Sequence, residues 1–237
     1  MTTRSPTTPD TSAILEATDI SRAFNSGGGK YLALASVSIA IKPGDFLVIT
    51  GPSGAGKSTL LNLLSTLDTP TTGEIFFNGT PLSSKTQADI AVLRNNSFGF
   101  IFQTPHLLQD KTISENIALP FHYGDQPPKD VIGLRCQELL EYIGLAEMAN
   151  RYPATLSGGE MQRVVFARAL VREPHVIFAD EPTGSLDASN SIHLITLLKK
   201  QTEQGRAVIM ASHDPLSENF ASRVLRMKKA DAEDKQG

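Results

Sequence analysis

Cysteine is nearly absent: Cys136 stands alone among 237 residues, so no internal disulfide is possible and a reducing compartment is implied. Cys136 lies in a helical pattern and is read as packing. No stretch of 18 apolar residues occurs, so nothing in the sequence reads as a bilayer span. Basic residues are not in excess (22 Lys+Arg against 25 Asp+Glu, net charge −3), which argues against a nucleic-acid partner. The segment Met1 to Ser12 is rich in Thr, Ser and Pro and lacks the apolar run of a signal peptide, so it is read as a disordered tail. Internal repeats and coiled-coil heptads are missing too. These absences predict a cytoplasmic globular chain whose membrane link, if any, comes from a partner.

The most informative stretch is Gly51-Pro52-Ser53-Gly54-Ala55-Gly56-Lys57-Ser58-Thr59. It follows the apolar run Phe46-Leu47-Val48-Ile49 and precedes a helical pattern at Leu60, Leu61, Leu63, Leu64 and Leu67. A strand, a glycine-rich loop and a helix are the context that a phosphate-binding P-loop requires. Glycines let successive N–H groups face one anion, and the helix N-terminus adds about half a positive charge. Lys57 is placed to meet the β/γ-phosphates, and Ser58 to hold Mg²⁺.

In chain order, Ile14–Ile20 and Ser36–Ile41 read as early strands with a flexible loop, Asn25–Lys30, between them. Glu74–Gly79 reads as a short strand closed by an Asn-Gly turn. Ala88–Leu93 suggests a short helix and Phe98–Phe102 a buried strand ending at Gln103. From Thr104 to about Arg151 the pattern is helical, including an amphipathic helix from Val131 to Ile143 that stops at Gly144. This block interrupts a sheet-building pattern and is read as an inserted helical subdomain. Val164–Val171 continues a helix that stops before Pro174, and Ser189–Gln201 forms another. Val176-Ile177-Phe178-Ala179 and Ala207-Val208-Ile209-Met210-Ala211 are continuous apolar runs, as strands inside a parallel sheet require. Asp214-Pro215 caps a following helix, and Ser222–Lys228 is a candidate last strand.

Two further stations carry chemistry. Asp180-Glu181 stands at the carboxyl end of its strand, where ligands bind in parallel sheets. Asp180 suits holding Mg²⁺ through water, and Glu181 suits polarising an attacking water, a general-base contribution of about 10²–10⁴-fold. At Leu156-Ser157-Gly158-Gly159-Glu160, Ser157 and Glu160 form a capping box, which by itself explains the stretch. Yet two glycines in a first turn cost about 1 kcal/mol each, which makes sense if the backbone must approach a phosphate. On the residues alone both readings stand.

The P-loop, Gln103 after an apolar strand, Leu156-Ser157-Gly158-Gly159, Asp180-Glu181, Ser185-Leu186-Asp187 and His213, in this order, resemble the ATP-binding-cassette (ABC) ATPases over about residues 13 to 228. Leu67-Asp68-Thr69-Pro70-Thr71-Thr72-Gly73, Leu93-Arg94-Asn95, Phe98 to Gln103, and His106-Leu107-Leu108 with Glu115-Asn116 and Pro120 are similar to the lipoprotein-release and macrolide-export branch (LolD-like and MacB-like subunits). The resemblance implies an α/β fold, with a P-loop NTPase (RecA-like) core, an N-terminal antiparallel β subdomain and an inserted α-helical subdomain at about 104–160. The ABC domain would run over 13–229, with a frayed tail at 230–237.

It further implies that Gln103 touches Mg²⁺ and relays to the membrane partner, and that Ser157, Gly158 and Gly159 reach the γ-phosphate bound by another subunit. Asp187 would cross that interface; as a lone residue it could equally be a helix cap, with Ser189 competing. His213 would contact the γ-phosphate, and Phe24, preferred over Tyr31, would stack on adenine. Glu160, Met161, Ser185 and Ala211-Ser212 depart from the commoner wording without removing a functional group. The resemblance thus predicts an ATP- and Mg²⁺-dependent subunit acting as a homodimer on a separate integral-membrane permease at the cytoplasmic face of the inner or plasma membrane. A signalling or cell-division ABC ATPase would carry the same motifs. A DNA-repair or translation ATPase would usually add a coiled coil, a zinc module or a second cassette.

Overall fold

The computed structural model describes residues 12–26 and 29–229. The expected tails lie outside them apart from Ser12, as does the middle of the expected Asn25–Lys30 loop.

β1 (Leu15–Ser26) and β2 (Gly29–Ile41) pair antiparallel, and both are longer than the sequence suggested. Register shifts between Ala17 and Ala23 break the two-residue alternation, which hid the full length of β1. β3 spans Phe46–Thr50 and leads through the glycine-rich loop into α1 (Lys57–Leu64). Leu67, expected on that helix, lies past its end. β4 (Thr72–Phe77) pairs with β1 and returns through Asn78 (φ 48°) and Gly79 (φ 72°) to β5 (Thr80–Pro81), the turn that Asn-Gly predicts. The resulting sheet has the order β2-β1-β4-β5.

α2 (Gln87–Ser97) precedes β6 (Phe98–Phe102), and α3 (Ile113–Ala118) and α4 (Lys129–Tyr142) follow. Gly144, at φ 71°, ends α4 in the left-handed conformation that its position implied. The expected helical pattern directly after Gln103 is corrected: residues 103–112 are not helical. Buried Asn116 holds this loop instead. Its Oδ1 accepts from Leu108 N (2.8 Å), and its Nδ2 donates to Leu108 O and Thr112 O (3.0 Å each). α5 spans Gly158–Leu170, β7 Val176–Asp180, α6 Ala188–Glu203, β8 Ala207–Ala211 and β9 Arg223–Arg226. Asp214 does cap the next segment, a 3-10 turn at Pro215–Phe220.

The second sheet is parallel, in the order β6-β7-β8-β3-β9. Its inner strands are apolar on both faces because both faces are covered. Phe46, Val48, Ile177, Ala179, Val208 and Met210 pack into a core with α3, α4, α5 and α6. The alternate residues Leu47, Ile49, Val176, Phe178, Ala207 and Ile209 face α1 and the antiparallel sheet. Since the strands run parallel, the segments leaving β3, β6, β7 and β8 all emerge at one edge.

Candidate functional site

That edge gathers the stations found in the sequence except Leu156–Glu160. In the loop after β3, Gly51, Gly54 and Gly56 have φ of 146°, 78° and 89°. A Cβ on Gly51 would stand 2.5 Å from Met227 O, and one on Gly56 2.6 Å from Ala33 O, so these two positions lack room as well as the backbone conformation for a side chain. Pro52, Ser53 and Gly54 form the exposed tip, Ala55 tucks under it, and Thr59 is half-buried on α1. Lys57 Nζ folds back over the loop, donating to Gly51 O (2.9 Å) and Pro52 O (3.4 Å). Among the described α-helices, α1 has neither a side-chain cap nor an acidic residue in its first turn, whereas α2, α3, α5 and α6 are capped by a side chain and α4 carries Asp130. Its free N–H groups and dipole suit an anion.

Ser58 Oγ donates to Asp180 Oδ1 at 3.1 Å, joining α1 to the end of β7. Burial pushes the Asp180 carboxyl above its ordinary value; the Ser58 hydroxyl and the Lys57 charge act against that, and Glu181 adds to it. Hydroxyl and carboxylate oxygens are the hard donors that Mg²⁺ takes. Among the described residues no cluster of three His, Cys, Asp or Glu side chains gathers.

Glu181 follows directly, at φ 46°. A non-glycine residue in this region costs about 1–2 kcal/mol, and such strain concentrates at functional sites. Its Oε2 lies 2.7 Å from His213 Nδ1 and accepts from His213 N (3.2 Å). A carboxylate only accepts, so Nδ1 carries the hydrogen and Nε2 points away from the pair. His213, whose side chain is 69% exposed, leaves β8 beside Glu181, whose side chain is 20% exposed. Gln103, the first residue past β6, lays its side chain against the turn after β7: a Cβ on Gly184 would stand 2.8 Å from Gln103 Nε2.

The structure therefore brings together the glycine-rich loop, Lys57, Ser58, Gln103, Asp180, Glu181 and His213. Ser157, Gly158 and Gly159 instead open α5. The capping box exists: Ser157 N and Oγ both donate to Glu160 Oε2 (2.7 Å each). These bonds hold the Glu160 carboxyl below its ordinary value. A Cβ on Gly159 would run into the Asn190 side chain of α6, which would have to shift. Asn190 in turn donates to Asp187, which caps α6. Gly158 has nothing within 4 Å of its Cβ direction. No hydrogen bond among the described residues joins Ser157–Gly159 to the glycine-rich loop. Phe24 and Tyr31 face each other across β1 and β2, both exposed, two residues along β2 from the Ala33 carbonyl that touches Gly56. The Arg22 guanidinium lies 4.5 Å over the Phe24 ring and pairs with Asp68 at 2.8 Å.

Sequence reading missed Gln162 and Arg168. Arg168 donates to Pro105 O (2.9 Å) and His106 O (3.0 Å), fastening the loop beyond Gln103. Gln162 is buried beneath Gln103. The available signal was its place on the α5 face that also holds Gly159 and Phe166, a polar residue at core spacing. Beside Gln103, a groove of about 470 Å³ opens between α2, β6 and α5, lined by Leu67, Ala91, Phe100, Phe102, Pro120 and Tyr123 among others.

Comparison with known proteins bears on this edge. Residues 34–184 match the family model described as ABC transporter. The chain is 41% identical over 215 residues to the "Uncharacterized ABC transporter ATP-binding protein MJ1508" of Methanocaldococcus jannaschii, covering 91% of this chain and 96% of that one. It is 42% identical over 214 residues to the "Macrolide export ATP-binding/permease protein MacB" of Marinobacter nauticus, covering 90% of this chain but 33% of that longer protein. Among solved structures, the dimeric MJ0796 ABC transporter cassette matches with a TM-score of 0.83 and 35% identity, over 91% of this chain and 94% of that one. A post-hydrolysis dimer of MJ0796 bound to ADP and Pi matches with the same TM-score at 34% identity, over the same shares of both chains.

Proposed function

This chain belongs to the ABC transporter family as an ATP-binding, ATP-hydrolysing subunit, and from that membership we propose that two copies close head to tail around two ATP molecules. The observation that carries this reading is the split of the site. The glycine-rich loop, Gln103, Asp180, Glu181 and His213 share one edge, while Ser157 and Gly158 form the exposed start of the otherwise buried α5, with no hydrogen bond to that loop among the described residues. A second copy supplies the missing face, and the MJ0796 cassette, described as dimeric, supports it.

The loop N–H groups and Lys57 bind the β- and γ-phosphates. Lys57 exchanges its loop carbonyls for phosphate oxygens, a stronger charge-assisted bond. Phe24, or Tyr31 opposite it, offers a ring to the adenine. Ser58, Asp180 and Gln103 would hold Mg²⁺, which when bound neutralises charge on the phosphates. Glu181 accepts the proton of the attacking water. His213 holds the Glu181 carboxylate through two hydrogen bonds and keeps Nε2 for the γ-phosphate. Ser157 and the N–H groups of Gly158 and Gly159 complete the cage from the partner copy.

No helix among the described residues is long and apolar enough to cross a membrane. ABC cassettes work with permease components, and here the groove beside Gln103, whose apolar floor is edged by Arg94, Arg168 and Arg172, is the proposed seat of that partner at the cytoplasmic face of the membrane. The cassette runs over 13–229, with the helical subdomain at about 104–160 forming one wall of the groove. Export of lipoprotein, peptide or antibiotic-type substrates is the proposed role; the relative described as a macrolide export protein supports export as such.

The test is Glu181→Gln. It keeps shape and hydrogen bonding but cannot take a proton, so turnover should fall at least about 10²-fold. ATP binding should persist and trap a dimer on a sizing column. Turnover near the wild-type rate would sink the assignment.

A further inference from the structure

Gln162 is 1% exposed, yet it carries no part of the site described above. Its Nε2 lies 2.9 Å from Phe102 O, 2.9 Å from Pro182 O and 3.3 Å from Gln103 O. An amide has two hydrogens to give, and the two nearest carbonyls flank the reacting segments, one directly before Gln103 and the other directly after Glu181. Its Oε1 is buried without a partner, so the amide orientation is set by the carbonyls; flipped, it would aim oxygen at oxygen. The parallel ladder between β6 and β7 ends at the pair Phe102–Asp180. Gln103 and Glu181 are thus the first residues past that ladder; Glu181 N still donates to Ala211 O of β8 (3.0 Å), and Glu181 there adopts its left-handed turn.

We propose that Gln162 is a positioning residue for ATP hydrolysis, its side-chain amide clasping the chain before Gln103 to the chain after Glu181. Phe102 lines the groove beside the site. A shift of that wall is therefore carried through one amide to the carbonyl next to the catalytic carboxylate. The proposal rests on the reading of Gln103 and Glu181 given above. Wild-type turnover and its loss in Glu181→Gln test that reading; variants at position 162 test the clasp with the reading intact.

The experiment measures steady-state ATP hydrolysis and the urea midpoint for Gln162→Met, which matches the volume without donors, and Gln162→Asn, which keeps the amide on a stem too short to span both carbonyls. Small displacements at a reacting centre cost up to about 10²-fold, so kcat should fall at least about tenfold in each. KM for ATP should stay within about twofold, because the phosphate-holding loop is not touched. Should Gln162→Met unfold, Gln162→Asn decides. In a Gln103→Ala background, Gln162→Asn should cost less than about threefold more, since the two side chains act on one segment. Unchanged kcat, a loss in which KM rises alongside kcat's fall in step with the urea midpoint, or full multiplicativity with Gln103→Ala would each overturn the clasp.

Discussion

Position 56 shows how much a single missing side chain decides. Gly56 holds φ at 89° and lets the Ala33 carbonyl approach to where a Cβ would be 2.6 Å away. Gly54 shares the left-handed backbone (φ 78°), but its nearest neighbour would be Lys229 Cε at 3.9 Å. Gly54→Ala should therefore cost only the backbone term, about 1–2 kcal/mol. Gly56→Ala adds a clash with main chain that cannot swing aside, for a total of about 2–4 kcal/mol and a marked loss of nucleotide affinity. Urea unfolding and a fluorescent-nucleotide titration read both; equal costs would contradict the packing seen. The glycine spacing made the loop legible from sequence. That Ala33 and Met227 press on it was not, because contacts between residues far apart in the chain leave no trace in a local pattern.

At the level of elements, the starts of α1 and α5 contrast. α1 begins without a cap, whereas α5 begins with a complete capping box. Ser157→Ala should cost about 1 kcal/mol of stability, the usual loss for a removed cap. Gly158→Ala should be neutral or stabilising by up to about 1 kcal/mol, since nothing lies within 4 Å, yet it should weaken ATP-driven dimerisation, which sedimentation would detect. The capping carboxylates also set an acid limit. Asp89, Glu115, Glu160 and Asp187 lie below their ordinary values because cap hydrogen bonds favour the charged form. A lowered folded value means stability that is present above the unfolded value and lost as pH falls through the folded one. The urea midpoint should thus hold steady from about pH 7 to 5 and fall below about pH 4. Asp180, raised by burial, runs the other way, but it is one group against four. Glu160→Gln should flatten part of the fall, and a midpoint unmoved by acid would refute the linkage. Of these four caps, the Ser157–Glu160 box and Asp187 were legible in the sequence; the boxes at Thr86 and Thr112 were not, because weakly amphipathic or very short helices follow them. The non-helical loop 103–112 was not legible, since Asn116 and Arg168 satisfy its backbone from outside the segment.

For the whole molecule, chain order announced every station, but only the parallel strand order β6-β7-β8-β3-β9 explains why all but Ser157–Gly159 meet. Segments leaving neighbouring strands at one edge bring Ser58 to Asp180 and Glu181 to His213 across more than a hundred and about thirty residues of sequence, respectively. In the proposed head-to-tail dimer Ser157–Gly159 serves the nucleotide of the partner copy, and this makes the strongest test one of complementation. Lys57→Ala removes the cation proposed to bind phosphate and leaves the α5 start intact. Gly158→Asp keeps the loop intact and, as an acidic residue in a helix's first turn, should fold well. It nevertheless sets a negative charge on the surface that must meet phosphate. Each variant alone should be dead. In an equimolar mixture about half the dimers are mixed, and each mixed dimer holds one site with both faces whole, so about a quarter of wild-type turnover should return. A mixture as inactive as its components would mean that each chain completes its own site.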